Sequence, residues 1–556
     1  MAPRVMQRSN GVFRVCLLAM ALLFLPGPAR ADWIADLEAY AVATMAEAAI
    51  PGMAMAIVQN DAVIYAKGFG RLSADPASPL VNADTVFGIG SCSKAFGAVQ
   101  LAILKDQGRL AWDDLVSKHL PAFQMFNPWV NTQFQVEDLL THRSGLPAYT
   151  MYGMMELGYS TDDMVRGIRF EPPENPDAIF RGTFAYQNVM YTAASKLIEA
   201  LTGETWAAHL SESIFTPLGM TRSVTTQAEM YAMDNAATGH CLLENGSLWP
   251  IPHDWVNGYV MDNQLTAGAI RSSVRDMAQW LRLNLAMGTY AGKRLVETQT
   301  MRALQAPKTL VNPWAHGTDS PYWGPVSYAD GWFYYGFSPR PFLSHDGTSD
   351  GFKTRIGLIP GGSDGYGSAG IVVLTNVGGL SVLDPSAIPP ALLDRTLATA
   401  KIAFKFYDLY LKRDVPAGEF EKNMARLAAE TAKPAAAPAP ATGRAAIRPL
   451  AAYTGTYLHP AYGPFGVRVS GDHLEVTMGP RHLQTPLLPD VRPDAPPDGF
   501  TLHVPGYPDT FEVYPVRFEN LSATGPPRML VKLGPEETFT RIAPHAPVDL
   551  LLEGQP

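Results

Sequence analysis

The sequence predicts a mixed α/β (α+β) protein in two parts. An antiparallel sheet flanked by helices, with an inserted helical domain, comes first, and a C-terminal all-β, barrel-like domain follows. Three observations predict this. Strand patterns lie at both ends of residues 32–425, with helical patterns between them. An Ala/Pro-rich stretch then interrupts the chain. Beyond it, short alternating strands follow one another with turn residues between them. The 556 residues suffice for two to four domains at about 150 residues each. With 47% hydrophobic and 17% charged residues, the composition buries a core.

At the N-terminus Arg4, Arg8 and Arg14 precede an apolar run over residues 15–26, and Pro28-Ala29-Arg30-Ala31 sets small residues at a cleavage site. Residues 1–31 therefore read as a secretory signal peptide, and the mature protein is expected to be periplasmic or secreted in a bacterium. The apolar run is too short for a membrane span. Cys16 lacks the small residues that precede a lipidated cysteine, so no stable membrane anchor is expected after cleavage. Losing the leader's four Arg takes the net charge from -9 to about -13, which argues against a nucleic-acid partner. Cys92 and Cys241 remain and read as buried small hydrophobes.

Residues 33–48 repeat Ile34, Leu37, Ala41, Met45 and Ala48 at helical spacing, and Pro51-Gly52 stops that helix. Residues 53–59 and 62–69 read as strands joined by Asn60-Asp61. Residues 92–107 form a helix ended by Gly108, and 110–340 mix helices with loops. Strands recur at 342–344, 352–358 and 371–375, and a long amphipathic helix covers 392–411. The economical arrangement is one sheet assembled from both ends, with the active site where it meets the helical insert. Residues 426–447 form the Ala/Pro-rich linker, a semi-rigid spacer that predicts an independently folding catalytic unit. In residues 448–545, strands are expected at 455–457, 467–469, 474–476, 500–504, 511–516, 529–533 and 539–542.

Three short segments carry chemistry. Ser91-Cys92-Ser93-Lys94 opens a helix, where residues three apart share a face and the Lys94 amine reaches the Ser91 hydroxyl. A lysine held in an apolar wall loses proton affinity and acts as a base. The plainer alternative is a capping serine and a solvated lysine. Tyr186-Gln187-Asn188 sets Tyr186 and Asn188 on one side of an extended chain just before a helix. There the tyrosine passes a proton to a leaving group and the Asn188 amide holds a substrate carbonyl, unless Asn188 merely caps the helix. His345-Asp346-Gly347-Thr348 ends a strand. Gly347 admits a substrate close to the backbone, and the Thr348 N–H completes an oxyanion hole with that of Ser91.

Taken in order, these motifs resemble those of the serine β-lactamase/penicillin-binding superfamily, in its class C-like branch (peptidase family S12). Asp138-Leu139-Leu140-Thr141-His142-Arg143-Ser144-Gly145-Leu146, Pro217-Leu218-Gly219-Met220 and Gly331-Trp332-Phe333 recur around them. The resemblance covers residues 34–410, and residues 450–543 look like the β domain often appended to such hydrolases. It implies a β-lactamase/transpeptidase-like fold and a serine hydrolase working through a covalent acyl-enzyme. Ser91, Lys94, Tyr186 and His345 would be catalytic, and Asn188, Gly347 and Thr348 would bind substrate. Members cleave esters, D-amino-acid peptides and linearised cyclic peptides such as microcystin. A β-lactamase, a D,D-carboxypeptidase or a non-catalytic penicillin-binding-like sensor are the alternatives.

One departure shifts the expected substrate. His345 stands where the family commonly has the lysine of Lys-Thr-Gly, and histidine is mostly neutral at pH 7. That disfavours β-lactams and favours amides, esters or unusual peptides. Gly347-Thr348-Ser349-Asp350-Gly351 also fits the G-x-S-x-G nucleophile elbow. The residues after it read as a strand rather than the helix an elbow requires. The twelve His include no His-x-x-x-His pair and there is no Cys-x-x-Cys, so no metal site is expected. No Gly-rich phosphate loop follows a strand, so no cofactor is expected. The expected partner is a small-molecule or short-peptide substrate. His142 reads as structural. Residues 314–337 carry nine aromatics, and with Tyr152-Gly153-Met154-Met155 they read either as an adaptable pocket wall or as ordinary core.

Overall fold

The sheet is closed by strands from opposite ends of the first domain. In this computed structural model residues 32–542 are described, except 174–178, 244–245, 313–321, 323, 363–364, 379–389, 417, 421, 424–447, 491–495, 497, 504–512, 522–524 and 534. The signal peptide, the Ala/Pro linker, Trp314, Trp323 and the ends of two expected strands at Val504 and Phe511 therefore lie outside the described residues.

Helix α1 (Asp32–Glu47) leads into strands β1 (Gly52–Gln59) and β2 (Ala62–Gly70). Strands β3 (Thr309–Asn312), β4 (Val326–Tyr328), β5 (Phe333–Tyr335), β6 (Phe342–Ser349), β7 (Phe352–Ile359) and β8 (Ala369–Thr375) complete the sheet. Its order is β2-β1-β8-β7-β6-β5-β4-β3, antiparallel throughout, with Met53 opposite Thr375 where the two ends of the domain meet. β1 reads GMAMAIVQ without polar alternation because both its faces are buried. Met53, Met55 and Ile57 point to one face with Ile371 and Val373, packed under α1 and the C-terminal helix Pro390–Tyr410. Ala54, Ala56 and Val58 point to the other, with Ile356, Val372 and Leu374. On that face sit helix α2 (Lys94–Asp106) and the helix Val274–Leu285, whose Trp280 stacks on Phe96 at 3.7 Å. Truncating either fully buried ring would cost about 3–5 kcal/mol.

Helix α3 (Asn188–Thr202) is the hydrophobic spine of the insert. Val189, Ala193, Leu197 and Ile198 are buried, and Gly203 ends it at φ +79°.

The C-terminal domain is a closed antiparallel barrel of eight strands, not the seven expected. The added strand is Leu483–Pro489, whose Pro486 and Pro489 mask its pattern. Alternation survives there: Thr485 and Leu487 are buried, while their neighbours face out. The barrel does not stand apart from the catalytic domain. Gly153 N–H donates to Leu533 O at 3.1 Å, and Tyr159 Oη donates to Tyr462 O. Tyr514 Oη donates to the Glu156 carboxylate, and the Arg481 guanidinium lies 4.3 Å from the Tyr259 ring centroid. A Cβ on Gly153 would come within 2.4 Å of Leu533 Cβ, so only glycine permits this approach. One hydrophobic core runs from the insert into the barrel interior. The Tyr152–Glu156 segment is thus the seat of the barrel, and its Tyr152 and Met155 also line a small cavity with Asn188.

Candidate active site

Ser91 lies in a single 3-10 turn, Gly90–Ser93, and Lys94 opens α2 directly after it. The turn is fixed by close backbone packing against β6. A Cβ on Gly347 would sit 1.8 Å from Ile89 O, and one on Gly90 would sit 2.4 Å from Thr348 O. Cys92 Sγ ties the same two elements together by donating to His345 O at 3.4 Å. The backbone nitrogens of Ser91 and Thr348 both border this contact.

Lys94 is fully buried. Its Nζ lies 3.0 Å from Ser91 Oγ and donates to Asn188 Oδ1 and to Ala267 O, both at 2.7 Å. Burial drives its pKa well below that of an ordinary lysine, more than the opposing fields of Cys92 and Asp346 restore. The solvated-lysine alternative is therefore absent. Asn188 is the first residue of α3 and makes no capping bond, since its oxygen is given to Lys94.

The Tyr186 ring centroid is 4.8 Å from Lys94 Nζ, and the Ser91 side chain is close enough to its hydroxyl to lower its pKa in part. Burial, then Tyr328, raises its pKa well above the ordinary tyrosine value, so it stays a protonated phenol. The extended conformation of Gln187 (φ -136°, ψ 115°) sends Tyr186 and Asn188 to the same side. Gln187 itself turns away, accepting from Ser144 Oγ at 2.6 Å and donating to Leu146 O at 2.5 Å.

His345 is buried at the centre of β6, not at its end. Its Nδ1 donates to Asp346 O at 2.6 Å, which leaves Nε2 to accept from Tyr328 Oη at 3.1 Å. Burial lowers its pKa to about 4, against the raising field of Asp346. Both nitrogens of this neutral ring are held by the protein. Thr348 Oγ1 accepts from Lys353 Nζ at 2.8 Å, and Lys353 is paired with Asp346 Oδ2 at 2.7 Å. Lys353 thus brings a second lysine to the third motif across the strand pair, already neutralised.

The structure brings Ser91, Lys94, Tyr186, Asn188 and the Gly347-Thr348 backbone together, with His345 behind Tyr186 at 6.2 Å between ring centroids. Ser349 is buried in a strand–turn–strand hairpin with Phe352–Ile359, so no nucleophile elbow exists. Of the aromatics, Tyr322, Tyr328, Trp332 and Phe337 are buried, and Phe333 is half-buried beside His345. The sequence offered Tyr328 only as one of the wall aromatics, Ala267 only within Ala267-Gly268-Ala269-Ile270 around the motifs and His142 only within the Asp138–Leu146 motif. It did not show that Tyr328 bonds His345, that the Ala267 carbonyl holds Lys94 or that His142 bonds the Gln187 N–H.

Residues 37–392 match the family described as Beta-lactamase. An unguisins hydrolase of Aspergillus campestris is 31% identical over 431 residues, 74% of this chain and 73% of the fungal protein. The octameric penicillin-binding protein homologue from Pyrococcus abyssi matches with TM-score 0.54 and 22% identity, over 91% of this chain and 99% of that one. The D-amino acid amidase from Ochrobactrum anthropi matches with TM-score 0.51 and 20% identity, over 68% of this chain and 98% of that one. These two structures share the fold.

Proposed function

The chain belongs to the beta-lactamase family of serine hydrolases, and from that premise we propose that it is an exported amide hydrolase of small, unusual peptides. It works through an acyl-enzyme on Ser91. One observation carries the mechanism: the surroundings of Lys94 Nζ. A neutral amine has two N–H bonds and one lone pair. Asn188 Oδ1 and Ala267 O take the two N–H bonds, so the lone pair faces the Ser91 hydroxyl. Ser91 Oγ attacks the carbonyl carbon while its proton passes to Lys94. The Ser91 and Thr348 N–H groups receive the oxyanion. The Tyr186 phenol protonates the leaving amine as the C–N bond breaks, and recovers its proton from Lys94 by way of the leaving site. Water then attacks the ester carbonyl and gives a proton to Lys94, and Lys94 returns it to Ser91 Oγ as the ester C–O bond breaks and the acid product leaves.

The substrate reading rests on charge and on relatives. His345 is neutral and Lys353 is paired, so the third motif offers a substrate carboxylate no free cation. That favours amides over β-lactams. The unguisins hydrolase supports hydrolysis, and the name of the D-amino acid amidase is in keeping with an amide substrate. The N-terminal leader supports export.

Labelling by a serine-directed fluorophosphonate tests the nucleophile. It is expected in the wild type and in Ser349→Ala and absent in Ser91→Ala; label retained by Ser91→Ala refutes the assignment. A panel of p-nitrophenyl esters, D-amino acid amides, nitrocefin and a linear nonribosomal-type peptide tests the substrate class. A higher kcat/KM for nitrocefin than for the amides overturns it.

A further inference from the structure

His142 is fully buried, and its backbone is held at φ +52°, a left-handed conformation that is costly for histidine. That conformation aims two acceptors at one segment. His142 O accepts the Ala185 N–H at 2.9 Å, and its Nδ1 accepts the Gln187 N–H at 3.1 Å. The two bonds bracket Tyr186 and end one residue before Asn188. The ring lies 4.3 Å from that of Tyr186 and 4.5 Å from that of Tyr328, centroid to centroid. Because Nδ1 accepts, the imidazole proton sits on Nε2. That atom is buried with no hydrogen-bond partner. Burial, then the fields of Lys94 and His345, holds the imidazole well below its ordinary pKa, so the acceptor at Nδ1 is permanent.

We propose that His142 is the positioning residue of the Tyr186-Gln187-Asn188 segment. Its carbonyl and Nδ1 peg the extended chain so that the Tyr186 hydroxyl meets Ser91 while Asn188 Oδ1 meets Lys94. This rests on the roles given to Tyr186 and Asn188 above. His142 touches no reacting atom and acts through those two side chains.

The test is a double-mutant cycle on ester turnover. His142→Leu keeps the bulk and removes the acceptor. It is expected to lower kcat about 10²-fold with KM little changed, the scale of a slight misplacement of catalytic groups. His142→Asn restores an acceptor at the Nδ1 position and is expected to recover most of that loss. In a Tyr186→Phe background the His142→Leu loss should shrink to a few-fold, because the hydroxyl it places is gone. Equal losses in both backgrounds, or His142→Asn no better than His142→Leu, overturn the proposal. If His142→Leu does not fold, His142→Gln replaces it. Its oxygen reaches one methylene too far, so it should be about 10-fold or more slower than His142→Asn, and equal rates refute the pegging role. Failure of the wild type to label at Ser91 refutes the catalytic reading instead, so the two failures are distinguishable.

Discussion

Lys94 depends on its two acceptors as much as on its burial. Placing a charge at one of them should show this. Asn188→Asp sets a carboxylate where Asn188 Oδ1 now lies, 2.7 Å from Nζ, and favours the ammonium. The base works deprotonated, so activity falls as the pH drops through the Lys94 pKa. Raising that pKa moves the acidic limb of kcat/KM upward, by about 1–3 pH units. A limb that stays in place would show that Lys94 is not the base. His345 titrates at about 4 with both nitrogens engaged, so it should not set that limb. His345→Gln is expected to lower kcat and leave the limb where it is; a displaced limb would make His345 the titrating group. At this scale the side chains that meet around Lys94 were legible from Ser-x-x-Lys and Tyr-x-Asn. Their protonation states were not, because desolvation depends on what surrounds each group.

Strand β6 and the turn Gly90–Ser93 act as one element. Gly347→Ala should force them apart, because its Cβ would meet the Ile89 carbonyl at 1.8 Å. Loss of one oxyanion donor costs about 10²–10³ in kcat. A loss of that size is expected in ester turnover, with the phosphonate reaction slowed alongside. Near-normal rates would mean that the backbone of this strand holds no part of the transition state. The strand was legible only over 342–344. Polar His345, Asp346 and Thr348 hide its continuation, which the pairing of Thr348 with Lys353 imposes. Leu483–Pro489 was hidden for a different reason: proline argues against a strand locally, and only barrel closure overrides it.

The barrel and the catalytic domain share buried titratable groups. Glu171 is buried near Glu537, and Glu537 lies 3.3 Å from His459 Nε2 and accepts from Tyr462 Oη at 3.4 Å. Burial first, then Glu537, pushes the Glu171 carboxyl up to about 8 from its ordinary 4.5. The folded protein keeps that proton where the unfolded chain releases it. The stability tied to it is full below the unfolded value and is lost as the pH rises through about 8. Thermal melting should show Tm falling by at least about 2–4 °C across this window, and Glu171→Gln should flatten the fall. An unchanged slope in that variant would place the effect elsewhere. The shared core argues against an independent catalytic unit. Removing the barrel bares the seat at Tyr152, Met154 and Met155, so the truncated chain should aggregate or melt well below the full protein. A soluble truncated form with unchanged Tm would restore independence.

The sequence by itself determined the periodic helices and strands, the order of the parts and the motif residues that the fold brings together. These follow from side-chain period, turn chemistry and spacing within a few residues. Tertiary structure alone decided which acceptors hold Lys94, since Asn188 and Ala267 lie 94 and 173 residues along the chain. It also decided that His345 faces inward to Tyr328, that His142 grips the segment around Tyr186 and that the barrel is docked rather than tethered. Each of these is a contact between distant segments, set by how the whole core packs. No local pattern in the sequence encodes it.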